Sequence, residues 1–370
     1  MIRRGEGLIA TELRGQRRGT WLSKSDIVVF TLGTVLIASF ALGVFQRDYR
    51  TTLDLWKSRL TAAVRYRAWT LQNSLQQSED DVQVLADFAS TREMLLFAAG
   101  GGIGSLPCAA ARRQVLGLFE NYRNVYQYAA VFLLSGEGNI VVQATDSGAW
   151  PTLIGTLEFQ GVLRTAIDTQ HYTIHLVPIS EQELALVFMM PVVSGDPTDK
   201  KPHVPLGVVT ILDPFGRELL PLLRAESIPS RTGETIFFRS EAGEGRYASP
   251  LRFGSSSRTG HIRREDTLIR AASAAVEDHA NFGQFVDYRG VDVLASMQKV
   301  PGLRGVVLGK VDSTEAFAEF HRTWRLEMMT AAAVVLAFLG MILLRRRNAV
   351  AREMKEIEDS LRTAKQVLEM

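Results

Sequence analysis

Apolar residues are spread unevenly along the chain. Ile27 to Phe45 is 19 residues without a charge, and Met328 to Leu344 is 17 residues without a charge. At 1.5 Å per residue the shorter run spans about 26 Å, close to the ~30 Å hydrocarbon core of a bilayer. Arg345 follows it and can carry its guanidinium to the interface on an aliphatic stem. Both runs are expected to be transmembrane helices. A cleaved signal peptide fits the first run poorly: the run is long, and no small-x-small site precedes Gln46-Arg47-Asp48.

Between the two runs the periodicity changes twice. Ala68, Leu71, Leu75, Ser78, Val82, Leu85 and Ala89 alternate three and four apart, and neither Pro nor Gly interrupts Leu53 to Ala99. This predicts one helix over roughly residues 50–98, about 65–70 Å long if continuous, packed on its own domain and also available as a parallel dimer helix. Gly100-Gly101-Gly102-Ile103-Gly104 ends it. The Gly-Lys-Ser/Thr of a phosphate loop does not follow, since Ser105-Leu106-Pro107 comes next, so the run reads as a flexible helix exit.

A second helix is expected at Ala109 to Gln127, then strands at Tyr128–Leu134 and Ile140–Ala144 around the turn residues Ser135 to Asn139. Further strands fall near Tyr172–Pro178, Leu184–Val193 and Leu206–Leu212, separated by Ser194-Gly195-Asp196-Pro197 and Lys201-Pro202-His203. Short gaps favour an antiparallel sheet over βαβ units. The pattern then recurs in reduced form. A helix at Asp213–Ala225 leads to a strand at Gly233–Phe238 and a turn at Ser240–Gly245. Val286-Asp287-Tyr288 meets Val291–Gln298 across Arg289-Gly290, and Leu303–Val311 is the last strand. A helix from Ser313 is expected to run through Phe320 and Trp324 into the second apolar run, as a rod that would carry a displacement of that strand into the membrane. The fold class is therefore α+β, with two antiparallel-sheet modules in tandem between two spans.

Charge sets the orientation. Arg3, Arg4, Arg14, Arg17, Arg18 and Lys24 precede the first span, and Arg345, Arg346 and Arg347 follow the second. Basic flanks stay cytoplasmic, so both termini are expected inside and residues 46–327 outside, in the periplasm or its equivalent. The whole chain is nearly neutral, with 42 Lys+Arg against 40 Asp+Glu, which argues against a nucleic-acid partner. Cys108 is the only cysteine, so no intrachain disulfide forms. The six histidines, His171, His175, His203, His261, His279 and His321, lie in the outer region without zinc-site spacing. Neither Gly-x-Ser-x-Gly nor His-Glu-x-x-His occurs, so no catalysis, metal or cofactor is expected of the residues present.

Several stretches of the second module occur in a distinctive order. They are Gly233-Glu234-Thr235, Ser249-Pro250-Leu251, Asp287-Tyr288-Arg289-Gly290-Val291 with Val293-Leu294-Ala295, Val300-Pro301-Gly302-Leu303-Arg304-Gly305-Val306-Val307, Lys310-Val311-Asp312 and Glu315-Ala316-Phe317. Placed after a long helix and flanked by two spans, this set resembles the double-Cache sensory region of bacterial histidine kinases and diguanylate cyclases, over about residues 50–325. The resemblance implies two PAS-like modules, a larger one far from the membrane that carries a small ligand and a smaller one near it. It implies these divisions: 1–26 basic tail, 27–45 first span, 46–108 long helix, 109–225 distal module, 226–320 proximal module, 321–327 connecting helix, 328–344 second span and 345–370 inner coiled coil.

In such relatives an Arg-x-Trp-aromatic element lies before the first strand. Here Tyr122-Arg123-Asn124-Val125-Tyr126-Gln127-Tyr128 stands there, with Val125 in the tryptophan's place. Candidate ligand contacts are Arg123 for a carboxylate, Tyr126 and Tyr128 for apolar area and a hydroxyl, Asp146 and Trp150 from the loop after the second strand, and Asp213 for an ammonium. The departure at Val125 makes an α-amino-acid ligand a poor expectation. Asp287, Gly290, Asp312, Glu315 and Phe317 are the expected signal-transmission positions.

After Arg345, Met354, Ile357, Leu361, Ala364 and Leu368 recur three and four apart, predicting a parallel two-helix coiled coil in a homodimer. The chain stops in mid-heptad at Met370, which favours a longer gene product whose kinase or cyclase output is missing here; the alternative is an output supplied in trans. The reading is a sensory receptor. Its rival is a membrane-anchored protein whose outer modules bind a protein or an envelope polymer.

Overall fold

A computed structural model of the chain describes residues 24–100, 106–145, 147–180, 183–194, 204–224, 230–241, 244–253, 266–277 and 282–368. The basic tail before Lys24, the Gly101–Gly104 run, Asp146, most of both expected breakers and His203, His261 and His279 lie outside the described residues. The chain divides into two compact units, one of Met1–Asp54 with Phe317–Met370 and the other of Leu55–Ala316.

The second of these units contains two five-stranded antiparallel sheets. Helix α1 (Lys24–Asp87) enters it, followed by α2 (Ala89–Ala99) and α3 (Leu106–Tyr126). The expected unbroken helix is therefore interrupted. Phe88 is extended, with φ −60° and ψ 132°, and Ala89, the last member of the predicted stripe, is exposed. The break needs no Pro or Gly because Thr91 supplies the missing partner: its Oγ1 donates to the Leu85 carbonyl at 2.9 Å. The stripe from Ala68 to Leu85 is buried as expected.

The first sheet comprises β1 (Ala130–Ser135), β2 (Ile140–Thr145), β3 (Thr173–Pro178), β4 (Leu184–Val193) and β5 (Pro205–Pro214), in the order β2-β1-β5-β4-β3. The β1–β2 turn closes through Gly138, whose φ of +85° suits a residue without Cβ. Val131, Leu133, Leu186, Phe188, Val209 and Ile211 pack toward the core shared with α1 and α3. The alternate residues Ala130, Phe132, Leu134, Val187, Val208 and Leu212 pack on α4 (Ala149–Ile154) and α5 (Leu157–Thr169). Sequence reading placed no helices between β2 and β3. Yet α5 begins with an N-cap, Thr156 Oγ1 accepting from the Phe159 amide, and Phe159, Leu163 and Ala166 bury one face.

α6 (Phe215–Arg224) leads to the second sheet: β6 (Glu234–Glu241), β7 (Glu244–Tyr247), β8 (Phe282–Val286), β9 (Asp292–Val300) and β10 (Gly305–Asp312). Its order is β7-β6-β10-β9-β8, the same permutation as in the first sheet. The expected reduced repeat is thus a full one. Helix α7 (Thr267–Glu277), N-capped by the Asp266 carboxylate on the Ile269 amide, covers one face. Phe237, Val300, Leu303 and Val307 on the other face join the same continuous core as α1 and the first sheet.

In the other unit, α9 (Ala318–Leu368) follows the short α8 (Ser313–Ala316) after a one-residue break at Phe317, where an unbroken helix was expected. Among the described residues, α1 and α9 are the two helices long and apolar enough to cross a membrane. Within this unit they meet through aromatic rings: Phe30 on Phe338 at 6.2 Å, Phe45 on Trp324 at 4.6 Å and Tyr49 stacked on Phe317 at 5.1 Å. Met354, Ile357 and Leu361 are exposed on α9, and the side chains of Ala364 and Leu368 lie outside the described residues.

Candidate functional site

The expected ligand residues of the first module lie on different faces of its sheet. Tyr128 is buried, and its hydroxyl donates to Asp81 Oδ2 at 2.5 Å and lies 3.4 Å from Ser78 Oγ, both on α1. Tyr126 packs between Tyr122 and Tyr128, with ring centroids 5.4 and 6.0 Å away, and is partly exposed. Arg123, at the end of α3, reaches Asn124 Oδ1 at 3.1 Å. Asp213 is buried and continues the α1-facing row of Val209 and Ile211. Trp150, on α4, belongs instead to the apolar layer on the opposite face. Tyr126, Tyr128 and Arg123 are thus neighbours around the end of α3, whereas Trp150 is separated from them by the sheet. Asp146 lies outside the described residues.

The layer between the first sheet and α4 and α5 is almost wholly apolar. Its polar exception is Thr210, which lies between Val208 and Leu212 on β5 and is fully buried, with Oγ1 lacking a hydrogen-bond partner among the described residues. A buried hydroxyl without a partner costs about 1–3 kcal/mol, so it marks a place where a ligand or water atom would be favoured.

The second module carries the densest buried charge. Lys310, on β10, is fully buried and forms ion pairs with Asp287 and with Glu234 Oε2, the latter at 3.0 Å. Its ammonium also sits 4.3 Å from the Tyr288 ring centroid. Glu234 accepts further from the Arg252 amide at 2.5 Å and the Tyr288 hydroxyl at 2.9 Å. Asp287 accepts from the amides of Arg289 and Val291 at 2.9 and 3.3 Å, and from Arg289 Nε at 2.8 Å. Arg289 then pairs with Asp312. Burial alone would raise the Asp287 pKa, but the Lys310 and Arg289 donors outweigh it and hold the carboxyl below its ordinary range. Gly290 closes the β8–β9 hairpin at φ +79°, which lets the Asp287 carboxylate fold back over the turn.

Two of the expected transmission residues, Asp287 and Asp312, therefore share one network, joined through Arg289. Glu315 forms a second one. Its carboxylate accepts from the Arg231 amide at 2.9 Å, the Thr232 amide at 2.8 Å and Thr232 Oγ1 at 2.5 Å, while Thr232 Oγ1 lies 3.1 Å from the Asp312 amide that donates to it. Although burial pushes the other way, these donors lower the Glu315 pKa to about 2. One residue further on, the buried Trp56 Nε1 donates to the Ala316 carbonyl at 2.9 Å. The first turn that α1 contributes to this unit is thus pinned to the unit's last residue. Phe317 stacks on Tyr49 in the other unit.

The two sheets also touch. A Cβ at Gly302, in the β9–β10 turn with φ +87°, would lie 3.3 Å from Ile174 Cγ2 on β3. Arg239 donates to the Leu176 carbonyl at 3.3 Å, and Phe215 packs on Phe237 at 5.3 Å. Glu234, Tyr288, Arg289 and Lys310 stand in the stretches that carry the resemblance but were given no site role from sequence, and Thr232 and Trp56 were not singled out at all. A lysine inside the apolar strand Gly305 to Asp312 was the one available signal, because an unpaired ammonium could not be buried there.

No protein-family model matches the chain, and no curated protein matches it. Solved structures do match. The extracellular domain of the putative histidine kinase soHK1S-Z6 aligns with 74% of this chain and 99% of its own, at 18% identity and a TM-score of 0.50. The fold is that of a double-Cache, PAS-like sensor region. The ligand-binding domain of the Campylobacter jejuni chemoreceptor Tlp3, solved with L-norvaline, covers 72% of this chain and 94% of its own at 11% identity and a TM-score of 0.49. The V. cholerae histidine kinase DctB sensor domain covers 72% and 99% at 12% identity and a TM-score of 0.46. Among the described residues no group of three or more His, Cys, Asp or Glu could hold a metal. In the double-Cache frame, the first sheet with α4 and α5 is one PAS-like layer and the second sheet with α7 is the other.

Proposed function

We propose that this chain is a transmembrane sensory receptor. A small extracytoplasmic molecule binds the first module, and the second module passes the change to α9. The basic flanks support a bacterial inner-membrane topology with both termini in the cytoplasm, and the exposed stripe of Met354, Ile357 and Leu361 supports a parallel homodimer whose inner helices drive a histidine kinase or a diguanylate cyclase. The observation that carries the reading is the clamp at Ala316. There the segment that follows β10 meets the incoming α1 where the chain leaves the sensory unit, while the turn at the other end of β10 touches β3. A ligand shifts such a junction only as far as it binds one of its states more tightly.

The test is a melting screen of the full chain in nanodiscs against small carboxylates, amines, nucleobases and sugars, with Arg123→Ala and Thr210→Val in parallel. A saturable rise for one compound, lost in one of the variants, supports a direct sensor and assigns the face that binds. The apolar layer behind β5 favours a second reading, in which the outer modules bind a protein or envelope polymer. A folded, monodisperse chain that responds to no compound supports that reading.

A further inference from the structure

We propose that Glu234, Asp287 and the Tyr288 ring form an ammonium-recognition site in the second module, filled in cis by the protein's own Lys310. The two sheets share one strand order, so their positions can be compared directly. In the first, Ala130 on β1 faces Leu212 on β5, which faces Val187 on β4. All three belong to an apolar layer. In the second, Glu234 on β6 faces Lys310 on β10, which faces Ala295 on β9. At one place in the fold, then, one module has hydrocarbon and the other has an ammonium between two carboxylates.

The carboxylates are held by groups other than the lysine. Glu234 keeps the Arg252 amide and the Tyr288 hydroxyl, and Asp287 keeps two amides and Arg289. Their geometry therefore persists when the ammonium is taken away. Paired carboxylates and an aromatic face, desolvated and preorganised, are the chemistry that recognises a primary alkylammonium. Lys310 lies on the strand that leads through α8 to the Ala316 clamp, and filling the site from within fastens β10 to β6 and to the β8–β9 turn. The second module is thereby held in a liganded arrangement whatever the first module binds.

Lys310→Ala deletes Cγ, Cδ, Cε and Nζ, the outline of n-propylammonium. In the full chain in nanodiscs this variant is expected to melt lower by on the order of 10 °C. n-Propylammonium chloride should raise its melting temperature saturably and recover at least half of the loss. It should leave wild type and Lys310→Met unmoved, since their sites are filled, and n-propanol should not substitute for it. An equal shift in wild type or Lys310→Met, an equal effect of n-propanol, or no shift in a folded Lys310→Ala chain would overturn the proposal. If Lys310→Ala does not accumulate as folded protein, its yield is read with and without the amine. Recovery by n-propylammonium and not by n-propanol supports the site, and absence of recovery overturns it.

Discussion

Glu315 is a carboxylate with three donors aimed at it, and its role can be read by pH. Its pKa falls from the ordinary 4.5 to about 2 on folding. A depressed carboxylate stabilises the fold fully above the unfolded value and loses that contribution as pH falls through the folded one. Glu315→Gln should therefore cost about 1–2 kcal/mol at neutral pH, allowing for partial exposure. The gap from wild type should close between pH 4.5 and about 2, as checked by denaturant melts across that range. A gap that stays constant over the window would mean the carboxylate is not the origin of the effect. At the same junction, Trp56→Phe keeps an aromatic ring but deletes the indole N–H and part of the ring volume. It should cost about 1–3 kcal/mol, through the orphaned Ala316 carbonyl and the space left in a buried site.

The elements show how much a turn can carry. Gly290 and Gly302 have φ of +79° and +87°, where a side chain strains the backbone by about 1–2 kcal/mol. Gly290→Ala should lower stability by about that amount and loosen the Asp287 network, as read by denaturant melts. Gly302→Ala adds a contact with Ile174 at the β9–β10 turn, which approaches the first sheet's β3 edge. It should therefore change the response of the Ala316 clamp to a first-module ligand as well as the stability. Hydrogen exchange of β10 amides with and without that ligand reads both effects.

At the scale of the molecule, two helices with apolar stretches precede and follow the double-sheet unit in sequence, and the aromatic contacts of Phe30, Phe45 and Tyr49 with Phe338, Trp324 and Phe317 tie those helices side by side. With both termini inside, an impermeant maleimide should label Phe253→Cys in intact cells and spare Met354→Cys until the cells are opened. Cys108 is buried and should contribute little background. Labelling of Met354→Cys in intact cells would reverse the orientation.

The two long apolar helices, the α+β class, the stripe from Ala68 to Leu85 and most strands could be read from the residues, because an uncharged run shows by its length alone and burial on one face repeats at 3.6 or 2 residues whatever surrounds it. The Asp287-Tyr288-Arg289-Gly290 turn was equally legible, since its Asp and Gly have local reasons to be there. The break at Phe88 was not. It depends on Thr91 finding the Leu85 carbonyl, in a segment with no helix breaker. The pairing of Lys310 with Glu234 and Asp287 was also hidden, since its partners are distant in sequence and meet only when β6, β8 and β10 take their order. Local periodicity reports which face is buried. Which charge answers which, and which face of the first sheet each candidate residue occupies, follows from strand order and register, which no single segment contains.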